Sequence, residues 1–151
     1  LSWILLQAAA GIVIGILWWL LAPGGLNLLS GNPSLADGTR TDVWLPRDLV
    51  LAGLFVLCGC SVAVVLDGKE PDAGVTRRIV LAVAGGAAGA LVAWLVGVQA
   101  GQWWGPSVDA SAHPSAAFSL RSFAVLALWP GATAVSVFLL NLVSLMRRPS
   151  P

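Results

Sequence analysis

Asp109 and His113 are the first pair to test for chemistry, because a carboxylate and an imidazole that share a loop can ligate a metal ion and are the one feature that keeps a membrane enzyme in view. His113 is the sole histidine, beside Pro114 in the expected outer loop 109–119, and a loop histidine in water is the simpler reading. One histidine outside the membrane cannot supply the axial pair of a membrane haem. Cys58 and Cys60 lie inside an apolar run, two residues apart, which on a helix points them to nearly opposite faces. They make a poor metal clamp or disulfide and read as small buried hydrophobes. The run Asp67-Gly68-Lys69-Glu70-Pro71-Asp72 is a polar turn without the ligand spacing of a calcium loop. No nucleotide-binding glycine motif, Ser/His/Asp set or metal cluster is legible. The residues therefore predict a protein that is no enzyme by itself and needs no cofactor.

Arg47 and Arg121 are the charged residues with most to offer. Each can grip a lipid phosphate or an acidic group on a partner, or simply snorkel, with its stem among the headgroups and its charge in water. Asp48, next to Arg47 at a helix start, suits the positive end of the helix dipole.

The elements that would position these groups are set by composition. Of 151 residues, 58% are hydrophobic and 10% charged, against roughly 25% charged in soluble domains. Lipid must solvate most of such a surface. A bilayer core of about 30 Å needs about 20 apolar residues in a helix. Four runs qualify or nearly so: 1–22, 49–66, 79–98 and 123–146, with Trp44 and Leu45 extending the second. None holds Asp, Glu, Lys, Arg or His, so the intramembrane acid usual in ion-coupled pumps is absent from them. The first run has no basic start and is too long for a cleavable signal, and is read as a span. The expected fold is all-α, a single four-helix membrane domain over 1–151. The net charge of +1, without a basic stripe, predicts no nucleic-acid partner.

Lys69, Arg77, Arg78, Arg147 and Arg148 fall on one side of this arrangement and Arg40, Arg47 and Arg121 on the other. Basic residues favour the cytoplasm. The termini are accordingly expected inside a bacterial cytoplasmic membrane, with loops 23–48 and 99–122 outside. Trp18, Trp19, Trp44, Trp103 and Trp104 would form the outer aromatic belt and Trp3 would mark the inner face. Trp103 and Trp104, with Arg47 and Arg121, are the candidate lipid or partner contacts.

A shift of 74 residues aligns Gly11 with Gly85, Gly15 with Gly89, Trp44 with Phe118 and Arg47 with Arg121. This suggests two tandem helical hairpins, 1–66 and 75–146, joined by an inner loop 67–74 and parallel in the membrane. Gly11-x-x-x-Gly15 and Gly85-Gly86-Ala87-Ala88-Gly89 give the first and third helices small faces, so these two helices should meet at the bundle centre. Pro130 should kink the fourth helix, with Thr133 near to satisfy a freed carbonyl. Gln7 and Asn141 are the main polar side chains inside spans.

The stretches Gly15-Ile-Leu-Trp-Trp-Leu-Leu-Ala-Pro23, Arg47-Asp48, and Phe118-Ser-Leu-Arg121 leading to Leu128-Trp-Pro130 together resemble an uncharacterised family of small actinobacterial membrane proteins, a domain of unknown function. The resemblance spans nearly the whole chain and implies the four-span fold but no activity. By class, it also associates the chain with accessory subunits of actinobacterial respiratory supercomplexes, which include small helical proteins without redox centres. The expected function is a non-catalytic accessory or scaffold subunit of a larger membrane complex, of the respiratory chain, contacting lipids and other integral subunits. The competing expectation is a self-contained lipid- or small-molecule-binding protein or transporter, marked by a polar cavity lined by Gln7, Thr133 and Asn141.

Overall fold

The computed structural model describes residues 2–32, 44–68, 74–105 and 118–146. Four helices in it are long and apolar enough to cross a membrane: α1 (Ser2–Leu21), α2 (Trp44–Asp67), α3 (Val75–Trp104) and α4 (Leu128–Met146), the last preceded by a 3-10 turn, Phe123–Ala127. The chain is thus an all-α, multi-pass membrane protein. In lipid a helix satisfies its own backbone, which is why runs so poor in polar residues fold this way.

At 30 residues, α3 is roughly 45 Å long and overruns the apolar run 79–98 at both ends. Arg77 and Arg78 at one end and Gln99 and Gln102 at the other are polar enough for the interfacial layers. The fourth span is not a continuous α-helix. Pro130 lacks the N–H that would bond to the carbonyl of Leu126, and the chain before it winds as a 3-10 turn. The expected mid-helix kink is therefore a change of helix type at the start of the span. Thr133 Oγ1 donates to the carbonyl of Trp129 (3.0 Å), and so does not serve the carbonyl that Pro130 leaves free.

The helices do not pack in chain order. α1 packs most extensively on α3, α2 on α4, and α3 on α4, whereas α1 and α2 barely touch. Glycine makes the first contact possible. A Cβ on Gly11 would run into the carbonyl oxygen of Gly89, and one on Gly15 would stand 2.5 Å from that of Ala93. Gly85 makes room for Gln7, and Gly97 for the ring of Trp18. On the other pair, Gly59 lies against Ala132, Trp129 and Thr133, and Phe55 packs on Trp129 at 5.5 Å. The last contacts join positions 74 apart (129 − 55 and 133 − 59).

The tryptophans divide. Trp18 and Trp19 are buried, so they are core residues and not part of an aromatic belt. Trp18 packs on Phe118, Trp19 on Trp104, and Trp129 between α2 and α3. Trp103 and Trp104 face outward, while Trp3 and Trp44 are half-buried.

Candidate functional site

The densest group of polar contacts lies where α1 ends and α2 begins. Leaving α1, the chain turns through Ala22-Pro23-Gly24-Gly25, with Gly24 at φ +89°, a conformation that costs glycine little and other residues more. The same glycine leaves room for an arginine: a Cβ on it would come 3.3 Å from Arg47 Nη2.

Arg47 is only 3% exposed. Its Nη1 donates to the carbonyl of Ser119 (3.3 Å), and its guanidinium lies 5.3 Å from the centre of the Phe118 ring, a cation–π distance. Its own carbonyl accepts from Trp18 Nε1 at 2.9 Å. Asp48, equally buried, accepts from the backbone N–H groups of Arg121 (3.2 Å) and Ser122 (2.8 Å). Ser122 is the N-cap of the 3-10 turn and makes no side-chain cap bond. Asp48 thus accepts the N-cap N–H from another helix, as the reaching-back side chain of a capping box does from within. Phe118 in turn sits over Gly101 of α3. One Arg-Asp dipeptide therefore ties the end of α1, the start of α2 and the segment 118–122, which rests on α3.

This geometry corrects three expectations. Arg47 does not snorkel and is turned inward, away from lipid or a partner. Asp48 caps the start of the fourth span, whereas its expected service was to the dipole of its own helix. Arg121, aligned with Arg47 by the 74-residue shift, is exposed and contributes its backbone N–H, so it alone of the two has a side chain free to meet lipid or a partner. The adjacent acid was the missed signal: an arginine bound for the headgroup layer needs no carboxylate beside it, whereas one entering the protein does.

Gln7 is buried in the α1–α3 contact, where its Nε2 donates to the carbonyl of Ala82 (2.9 Å) while its Oε1 has no partner. Hydrogen bonds between membrane helices average about 0.6 kcal/mol, and the orphaned oxygen offsets part of that. Gln7→Met should therefore change stability by less than about 1 kcal/mol, measured by thermal unfolding in detergent. Thr133 is buried against Trp129, and Asn141, about two turns further along α4, donates to the carbonyl of Val137 (2.8 Å). Asn141 lines a cleft whose walls include neither Gln7 nor Thr133. Cys58 is half-buried; Cys60 is exposed, accepting from Ser136 Oγ at 3.4 Å, and so is not the buried hydrophobe expected.

The expected loop site, Asp109 and His113, lies outside the described residues, as do Arg40, Lys69, Arg147 and Arg148. Among the described residues no three His, Cys, Asp or Glu side chains gather as a metal site would require. At the Arg47 end, Trp103 and Trp104 are 73% and 62% exposed and Phe123 is 60% exposed. Trp104 is backed by Trp19 at 5.6 Å, Phe123 by Trp94 at 5.5 Å, and Trp103 meets Trp104 edge-on at 6.3 Å. The arrangement fixes helix ends and presents braced aromatic rings. Comparisons of the chain with known protein families, with curated proteins and with solved structures gave no match.

Proposed function

We propose that the chain is a non-catalytic accessory or scaffold subunit of a larger membrane complex, with a respiratory assembly of the bacterial cytoplasmic membrane the first to test. The observation that carries this reading is the aromatic ledge of Trp103 and Trp104, exposed at the end of the bundle that the Arg47–Asp48 junction ties together. Aromatic side chains held in place before binding lose little entropy on contact and are enriched among residues that dominate interfaces. The junction's polar groups bond to the chain's own backbone, which suits them to holding shape and leaves them little capacity for turnover.

The test is affinity purification of the tagged chain from its native membrane in mild detergent, with quantitative mass spectrometry. Stoichiometric recovery of the subunits of one complex is expected. The double substitution Trp103→Ala/Trp104→Ala should lower that recovery roughly tenfold or more, while Leu57→Ala, at an exposed position on α2, should leave it unchanged. Recovery of the chain alone would overturn the reading.

A further inference from the structure

At the end of the bundle away from Arg47, the last turn of α2, the first turns of α3 and the last turns of α4 enclose a cleft of about 190 Å³. Pockets for drug-sized ligands run from about 300 to 1,000 Å³, so this one suits a small polar group. Its walls are mixed. Ala63, Leu66, Ile79, Val137 and Leu140 are apolar; Asp67, Arg78, Asn141 and Ser144 are polar.

The two charges come from different helices. Asp67 is the final residue of α2, where the negative end of the helix dipole disfavours a carboxylate and favours a cation nearby. Among the described residues Asp67 has no ion pair or hydrogen bond. Arg78, on α3, brings a permanently charged guanidinium whose five N–H donors are more than one partner can occupy, and which suits phosphate. Between them α4 adds acceptors. Asn141 commits its Nδ2 to the carbonyl of Val137, which leaves Oδ1 to accept, and the Ser144 hydroxyl makes no hydrogen bond among the described residues. The cleft therefore offers one cationic donor and three acceptors, one of them anionic.

From this set we infer that the cleft binds a zwitterionic phosphodiester carrying a primary ammonium, the headgroup chemistry of phosphatidylethanolamine. The phosphate faces Arg78. The ammonium, with three N–H donors, faces Asp67, Asn141 Oδ1 and Ser144. The acyl chains follow the apolar wall along α3 and α4. A trimethylated headgroup has the same charges and no N–H to give, so it satisfies Arg78 alone. This site lies at the opposite end from the aromatic ledge and does not depend on the scaffold reading.

The experiment uses the full chain in detergent, with native mass spectrometry for retained lipid and thermal unfolding as phosphatidylethanolamine, phosphatidylcholine or phosphatidylglycerol is added. Phosphatidylethanolamine should be retained roughly tenfold better than the other two and should give the largest stabilisation. Asp67→Asn should erase its advantage over phosphatidylcholine. Arg78→Gln should weaken both alike. Soluble phosphoethanolamine is the second arm. Stabilisation by the lipid but not by the soluble compound assigns the site to lipid; equal stabilisation by both keeps the chemistry and assigns it to a free metabolite. Equal retention of all three lipids by the unaltered chain overturns the inference, and that comparison needs no variant to fold.

Discussion

Leucine at Gly11 or at Gly15 is expected to cost about 3 kcal/mol each, at the upper end of what overpacking does, and the two together to separate α1 from α3. The obstacle is backbone: the new side chain would begin inside the space of the carbonyls of Gly89 and Ala93, which no rotamer change relieves. No hydrophobic force holds helices together in lipid, so losing close approach removes the main attraction. Gly53 and Gly131 make the contrast. A Cβ at either meets nothing within 4 Å, so Gly53→Ala and Gly131→Ala should be neutral or stabilising by up to about 1 kcal/mol. Unfolding in detergent followed by tryptophan fluorescence checks both sets. Trp18 and Trp129, buried in the core, report it. Equal effects at all four glycines would refute the packing described.

The second large effect belongs to Arg47 and Asp48. Arg47 and Asp48 are neighbouring buried charges of opposite sign; Arg47→Leu or Asp48→Ala removes the charge that compensates the other and should cost about 3 kcal/mol each. Asp48→Ala also strips the N–H groups of Arg121 and Ser122 of their acceptor. Asp48→Asn, which can still accept, should cost clearly less than Asp48→Ala. The double variant Arg47→Leu/Asp48→Ala should cost less than the sum of the single changes, because no lone charge is left behind. Arg121→Ala should stay within about 0.5 kcal/mol, the usual range for an exposed residue. The same unfolding assay, run as a double-mutant cycle, reads all of these.

These arginines show what a sequence conveys about a membrane protein and where it stops. The spans could be read because each depends on local composition: enough consecutive apolar residues and no charge. The glycine faces of α1 and α3 could be read because the spacing of small residues is also local. Whether a charge at the end of a span turns toward water or toward protein depends on what lies across the bundle. Arg47 and Arg121 have the same aromatic-x-x-Arg setting, yet Phe118, Ser119 and the Gly24 turn close over only the first. Trp18 and Trp19 differ from Trp103 and Trp104 for the same reason. A ring near the end of a span fits a headgroup belt or a core equally well until its neighbours are known. The cleft beyond Asp67 was less legible still, since it gathers residues from three helices and no single stretch contains it.

The order in which the helices pack also bears on how the protein is made. Synthesis releases α1 and α2 first, and these are the two that hardly touch. The natural neighbour of α1 is α3, and that of α2 is α4. Each early helix must therefore wait in the bilayer for a partner not yet translated, its glycine face covered meanwhile by lipid. The first hairpin cannot close on its own. The bundle's first stable contact forms only once α3 slides in beside α1, and Asp48 finds its two N–H groups only when the ribosome has passed Ser122.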